Sequence, residues 1–215
     1  MTKTTKPIMQ ELGCRRYPET HVVVAPDESS SFYFVRHGAT EPNLQGIRCG
    51  GDLDLALTQI GREQAFATAR RIHAMNLDVG LIVCSSLKRT RQHAEIIRGV
   101  LGRDLPITCD PLLDERRMGE WNLRSVATTE VLLAQGMSPP GGETEEEFVK
   151  RVTLAFDQLQ MLLPMNPLVV SSKAVARVLN LLLGGKGRLT LENGEMVQFV
   201  MQSLAPPTER ERIPA

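Results

Sequence analysis

An apolar run near position 35 ends abruptly in Arg36-His37-Gly38, and Asn43 follows six residues after the histidine. Phosphoryl transfer spreads negative charge over several oxygens, so it requires fixed cationic donors and an in-line nucleophile. His37 can attack phosphorus, and the planar guanidinium of Arg36 matches the phosphoryl oxygens. Gly38 would let a backbone N–H approach the phosphate, and the Asn43 amide could donate a further hydrogen bond. These residues predict a phosphate-binding site with a histidine nucleophile.

Arg-His-Gly alone is a short match, but four further motifs follow it in order. They occupy positions 51–65, 85–90, 113–121 and 141–144. Together with the first motif they resemble the histidine phosphatase superfamily, which includes cofactor-dependent phosphoglycerate mutases and many small-molecule phosphatases. The resemblance covers roughly residues 32–202. It is far more specific than any single motif because five motifs share one order and spacing.

The resemblance implies roles for residues in these motifs. His37 would be the nucleophile that forms a phosphohistidine, and Arg36 and Arg89 would hold the phosphoryl oxygens. Glu115 matches the general acid, which protonates the leaving oxygen and later activates water. Glu143 matches a supporting acidic residue. Two alternatives stay open, since Arg89 could be a solvated residue in the first turn of a helix and Glu143 a charge that favours a helix start.

The chain departs from the family pattern at the end of its last central strand. The family usually has a second histidine there, whereas this chain has Ser172. A serine can donate one hydrogen bond but never carries a positive charge. Its alternative role is structural, as the N-cap of the following helix. The N-terminus of that helix would still favour an anion, and Lys173 could supply part of the missing charge.

Strand-like and helix-like periods alternate along the chain. Strands are predicted at 32–35, 79–84, 168–171 and 196–201, and helices at 58–75, 87–101, 144–163 and 174–183. This alternation predicts an α/β fold with a mostly parallel central sheet and helices on both faces, in three layers. The resemblance implies the phosphoglycerate mutase-like version of that fold. His37, Ser85 and Ser172 each follow a predicted strand, so they should meet at the carboxyl edge of the sheet.

Length and composition indicate one enzyme-sized domain. The 215 residues are 42% hydrophobic and carry no net charge, and we predict a single domain at 31–204. We expect residues 1–30 to be a flexible extension or, at 21–25, an edge strand, and residues 205–215 to be a flexible tail. The balanced charge gives no reason to expect nucleic acid or membrane partners, and the apolar runs are too short to span a bilayer. We expect a cytoplasmic protein, with a homodimer among the oligomeric states left open.

The predicted chemistry requires no metal and no cofactor. No Cys/His cluster with metal-ligand spacing occurs, and His21, His73 and His93 are assigned no role. We therefore expect a phosphatase that hydrolyses a small phosphomonoester through His37. One alternative is a weakened or inactive family member that binds a phosphorylated metabolite or a protein partner, as Ser172 suggests. A phosphoglycerate-type mutase is less favoured, because the segment between Trp121 and Gly141 is short. Substrate specificity should come from residues 123–140.

Overall fold

The computed structural model describes residues 30–201 of the chain. The predicted edge strand at 21–25, the rest of the N-terminal extension before Ser30 and the tail at 205–215 lie outside the described residues. Within the described range one sheet has five strands, β1 (Ser31–Arg36), β2 (Leu81–Cys84), β3 (Ile107–Cys109), β4 (Pro167–Ser171) and β5 (Met196–Val200), in the order β3-β2-β4-β1-β5. The first four strands run parallel, and β5 pairs antiparallel with β1 at one edge.

Helices cover both faces of this sheet. They are α1 (Glu41–Leu44), α2 (Gln59–Ala74), α3 (Lys88–Leu101), α4 (Val126–Ala134), α5 (Glu145–Gln160) and α6 (Lys173–Leu182). Side chains alternate along β1, so that Phe34 packs in the core beneath α5 and α6 while Val35 packs in the core beneath α2 and α3. The predicted three-layer α/β fold is therefore confirmed. No helix within residues 30–201 is long and apolar enough to cross a membrane.

The eight predicted elements are present, and their ends fall within three residues of the predicted positions. The sequence analysis missed β3, α1 and α4. The first two have three and four residues, too few to show a period. The apolar residues of α4 do not form one stripe, since Val131 is 56% exposed whereas the polar Thr129 is fully buried. A helix without a stripe gives no periodic signal.

The sheet topology opens a crevice where β1 and β4 end. Chain segments leave these neighbouring strands toward opposite faces, because α2 follows β1 on one side and α6 follows β4 directly on the other. Ligands of open α/β sheets bind at such a point, beyond the carboxyl ends of the strands. The register pairs Arg36 with Ser171, so the next residues, His37 and Ser172, stand side by side at this crevice.

Candidate active site

His37 lies directly after β1 and is 4% exposed. Its Nδ1 is 2.7 Å from the Gly38 carbonyl oxygen. Because a carbonyl oxygen can only accept, Nδ1 carries the proton and the neutral ring keeps its lone pair on Nε2. Burial, followed by the positive charge of Arg89, holds the pKa of His37 well below its usual value, although the hydrogen bond to Gly38 opposes the shift. The ring is therefore neutral at pH 7, with Nε2 available as a nucleophile.

Gly38 is required by packing and not by a phosphate. A Cβ at this position would lie 2.1 Å from the Gly61 carbonyl oxygen, which is backbone of α2. The Gly38 N–H donates to Nδ1 of His93 at 3.0 Å. The Gly38 N–H is therefore occupied by His93, and the approach of another backbone N–H to phosphate stays a prediction.

His93 is a site residue that the sequence analysis left without a role. It lies on α3 and is fully buried, and its Nδ1 accepts from the peptide that follows His37. Desolvation lowers the pKa of His93 to about 3. Its Nε2 is buried without a hydrogen-bond partner among the described residues. The sequence held one indication that His93 is buried, since it lies on the same face of α3 as the buried Thr90 and Ile97.

This burial predicts a pH-dependent stability. Between pH 6.5 and about pH 3 the unfolded chain protonates His93 and the native state does not, so the free energy of unfolding falls as the pH falls. In His93→Asn, Oδ1 can still accept from the Gly38 N–H but nothing titrates. We expect the wild type to lose about 2–3 kcal/mol more than this variant between pH 8 and pH 4.5. Urea unfolding at the two pH values measures the difference, and parallel losses in both proteins would contradict the prediction.

Two arginines stand near His37. Arg36 donates from Nη1 to the Leu191 carbonyl at 2.7 Å, and its Nε is buried without a partner among the described residues. Arg89 is 1% exposed and donates to the backbone carbonyls of Leu53 and Gly50, at 2.7 and 3.3 Å. The alternative that Arg89 is a solvated residue of a helix's first turn is therefore wrong. Both guanidinium charges lower the pKa of His37.

Asn193, which the sequence analysis did not predict, connects Asn43 with the backbone of His37. Asn43 Oδ1 accepts from the N–H and the hydroxyl of Thr40, at 3.1 and 2.9 Å, which closes the N-terminal turn of α1. Asn193 donates from Nδ2 to the His37 carbonyl at 2.9 Å and approaches Asn43 Oδ1 at 3.4 Å. Because its oxygen is occupied, Asn43 has its amide N–H groups left as donors, and their bond to a phosphate stays a prediction.

Glu115 is half-buried beside the start of α6. Its Oε1 accepts from the Arg116 N–H at 2.7 Å, and its Oε2 lies 3.4 Å from the N–H of Ala174 in the first turn of α6. A carboxyl oxygen at a helix N-terminus can accept from the unpaired N–H groups there. One N–H group of the helix start for which anion binding is predicted is thus directed at Glu115.

Ser172 occupies the N-cap position of α6, but its side chain makes no capping hydrogen bond. Its Oγ is fully buried without a partner among residues 30–201. The prediction that Ser172 lies at the N-cap position is correct. The prediction that its side chain caps the helix is wrong, because a capping serine would accept from an N–H of the first turn. Lys173 follows at the first position of the helix, half-buried. Burial, followed by the charges of Arg177 and Arg36, lowers the pKa of Lys173.

Glu143 is buried and paired with Arg151. The guanidinium donates from Nε and Nη2 to the two carboxylate oxygens, both at 2.8 Å, and the Arg117 N–H donates to Oε2 at 2.9 Å. Arg151 also donates to the carbonyls of Leu112, Asp114 and Glu115. Burial alone would raise the pKa of Glu143, but these hydrogen bonds bring it below its ordinary value. The pair therefore fixes the segment that carries Glu115, which a charge that only favours a helix start would not do.

A cavity of about 910 Å³ adjoins the carboxyl edge of the sheet. Four of the predicted site residues line it, namely Arg36, Asn43, Glu115 and Lys173. The other four are buried outside its lining, namely His37, Arg89, Ser172 and Glu143. Residues of α4 and of the turn after it also line the cavity, so the 123–140 segment does border the predicted site. No group of three or more potential metal ligands occurs within residues 30–201.

Comparison with known proteins agrees with this geometry. The sequence profile of the histidine phosphatase superfamily (branch 1) matches residues 32–198. A probable phosphoglycerate mutase GpmB of Yersinia pestis (strain Pestoides F) is 34% identical over 182 residues, covering 75% of this chain and 80% of the relative. The mycobacterial glucosyl-3-phosphoglycerate phosphatase in complex with VO3 has a TM-score of 0.65 at 25% identity, over 79% of this chain and 90% of that one.

The α-ribazole phosphatase from Shigella flexneri shares the fold, with a TM-score of 0.68 at 23% identity over 78% of this chain and 89% of its own. These neighbours confirm the expected phosphoglycerate mutase-like architecture. The profile match spans most of the sequence and includes the Arg-His-Gly motif, Glu115 and Ser172. The chain belongs to the histidine phosphatase superfamily.

Proposed function

We propose that this protein is a phosphatase that hydrolyses a small phosphomonoester through a phosphohistidine on His37. The observation that carries the proposal is the state of the His37 ring. The Gly38 carbonyl binds its Nδ1 proton, and burial with two neighbouring guanidinium groups keeps it neutral. A neutral imidazole with a free Nε2, next to cations that match phosphoryl oxygens, has the features that in-line attack on phosphorus requires.

In the proposed reaction the lone pair of His37 Nε2 attacks phosphorus and the ester P–O bond breaks. Arg36 and Arg89 hold the phosphoryl oxygens, with Asn43 as a further donor, and Glu115 gives its proton to the leaving oxygen. Glu115 then takes a proton from water, whose oxygen attacks the phosphohistidine. The P–N bond breaks and inorganic phosphate leaves. Glu143 acts through Arg151, which holds the backbone of Glu115.

Ser172 has a distinct part in this proposal. Its hydroxyl is buried, unpartnered and adjacent to His37 in the strand register, so it can donate one hydrogen bond to a phosphoryl oxygen. Lys173 supplies a positive charge at the same helix start. Loss of one preorganised donor typically lowers a rate about 10²–10³-fold. We therefore expect an enzyme that is slower than a two-histidine relative and still active.

The test uses the purified full chain and a panel of phosphomonoesters that includes 4-nitrophenyl phosphate. We expect phosphate release and, after an alkaline quench that preserves phosphohistidine, a phosphoryl group on His37 in peptide mapping. His73 provides an internal control because it is exposed on α2 and should remain unmodified. Hydrolysis without a phosphoryl group on His37 would contradict the proposed intermediate.

Two other activities have specific support. The neutral Ser172 favours a protein that binds a phosphorylated ligand without turnover, and ligand binding without phosphate release would establish it. The names of the curated relatives favour a phosphoglycerate mutase. A mutase would isomerise phosphoglycerate in the same panel and release little phosphate.

We further propose a cytoplasmic location, with a small phosphorylated metabolite as the partner and neither nucleic acid nor a membrane surface. The sequence carries no net charge, which gives such polyanionic surfaces no attraction. A homodimer is compatible with this proposal. Cell fractionation and light scattering of the full chain would check the location and the oligomeric state.

A further inference from the structure

The cavity has a second cationic region beyond Arg36 and Lys173. Arg48, Arg177 and Arg188 line it, and the carboxylate of Glu130 lines it beside them. Arg48 approaches Glu130 at 3.1 Å, and Arg188 forms a second ion pair with the same carboxylate. Burial alone would raise the pKa of Glu130, but these arginines bring it below its ordinary value, so the carboxylate is charged. Glu115 and Glu145 also line the cavity, so its lining carries six cationic side chains and three carboxylates, which leaves an excess of positive charge.

Arg177 is available to a ligand, because its guanidinium has no hydrogen bond or ion pair within residues 30–201. Its Nε is buried and unpartnered, and the residue lines the cavity. Burial, followed by the charge of Arg188, lowers the pKa of Arg177. A guanidinium remains protonated despite such a shift. A buried donor without a partner is costly, and a bound anion would satisfy it.

Much of the remaining lining of the cavity is apolar. Val131, Leu133 and Met137 come from α4 and the turn after it, while Val178 and Leu181 come from α6. Three of these side chains are exposed, with 56% for Val131, 49% for Met137 and 62% for Leu181. Apolar side chains that are exposed and line a cavity are available to an apolar ligand.

Helix geometry sets the spacing of the two cationic regions. Lys173, Arg177 and Leu181 all line the cavity and are separated by one turn each on α6 and its end. Arg177 therefore lies about 6 Å further along the helix than Lys173. Glu115 and Ser172 stand at the opposite, N-terminal end. A ligand whose phosphate lies near His37 must extend past one helical turn to reach Arg177.

We infer that the substrate is an elongated phosphomonoester with an apolar body and a second anionic group at its far end, which Arg177 binds together with Arg48 and Arg188. This inference rests on the proposed function. The second group is a carboxylate or a phosphate, since both match the guanidinium fork. The volume of about 910 Å³ also exceeds what a phosphate ester of two or three carbons would fill.

The test compares 6-phosphooxyhexanoate with its uncharged amide. Calorimetric titration of the His37→Ala protein gives dissociation constants without consuming the probes. We expect the acid to bind about tenfold more tightly than the amide, as one charge-assisted contact would give. Arg177→Gln should bring this ratio close to one. Arg98→Gln is the matched control, because Arg98 pairs with Glu95 on the surface of α3, and it should retain the full ratio.

Probe length and charge sharpen the result. The three-carbon acid 3-phosphooxypropanoate should gain nothing over its amide, because it cannot span one turn of α6. The bisphosphate of 1,6-hexanediol identifies the preferred anion by whether it binds more or less tightly than the acid. Equal affinities of the six-carbon acid and amide, or a ratio that Arg177→Gln leaves intact, would overturn the inference. Turnover by the wild type is measured separately. Tighter binding of the six-carbon acid than of its amide, with no hydrolysis by the wild type, would therefore overturn only the phosphatase proposal.

Discussion

Replacement of His37 by asparagine is expected to lower phosphate release by about 10⁴-fold or more, which is the scale observed when a covalent nucleophile is removed. The asparagine Nδ2 can donate to the Gly38 carbonyl as Nδ1 of the histidine does. No atom then occupies the position of Nε2, so no phosphoryl-enzyme bond can form. The measurement is the initial rate of 4-nitrophenyl phosphate hydrolysis in both proteins.

The free energy of unfolding of His37→Asn shows whether a loss of activity comes from the missing nucleophile or from unfolding. Because the hydrogen bond to Gly38 is retained, we expect the free energy of unfolding to change by only about 1–2 kcal/mol, from the lost ring volume. His73→Asn serves as the matched control, since that exposed histidine on α2 should be replaceable without effect on either quantity. A folded His37→Asn protein with near wild-type rates would refute the nucleophile assignment.

The second large effect is expected from Glu143→Gln, which should reduce the free energy of unfolding by about 3–5 kcal/mol. The substitution leaves the Arg151 guanidinium, whose side chain is only 18% exposed, with an uncompensated charge. The carboxylate accepts two hydrogen bonds from Arg151 and one from the Arg117 N–H, and its side chain is 2% exposed. Activity should fall as well, because Arg151 holds the carbonyl of Glu115. Urea unfolding and phosphate release measure the two effects.

Glu95→Gln is the matched control for this charge removal. Glu95 pairs with Arg98, and the two side chains are 53% and 40% exposed, so we expect a change below about 1 kcal/mol. A double variant, Glu143→Leu with Arg151→Met, should lose less stability than the two single changes added together, because no unpaired charge remains. Equal effects of Glu143→Gln and Glu95→Gln would show that the pair of Glu143 and Arg151 contributes no more than a surface pair.

Local patterns were sufficient for the family, the α/β architecture and most of the elements. The periods of α2, α3, α5 and α6 depend on side chains three and four residues apart, which adjoin in the sequence itself. The Arg36-His37-Gly38 motif is likewise contiguous. The α4 helix was missed because its apolar residues serve a cavity wall and not one core-facing stripe.

Contacts between distant parts of the chain were decided only by the tertiary structure. His93 accepts from the Gly38 N–H across 55 positions, a contact that the sequence analysis did not predict. Glu143 was recognised as an acidic motif residue, but its pairing with Arg151 explains what it supports. Ser172 was placed correctly at a helix start, yet its unbonded hydroxyl follows from what surrounds it.

The sequence by itself determined the family, the sheet and the histidine at its carboxyl edge, because these depend on neighbouring residues and on the regular geometry of strands and helices. The tertiary structure decided the state of that histidine and the cationic far end of the cavity. Arg48 and Arg188 share Glu130 although they are far apart in the chain. Such convergence depends on how α4 and α6 pack over the sheet, and burial then sets the charge of His37 through desolvation that no local pattern encodes.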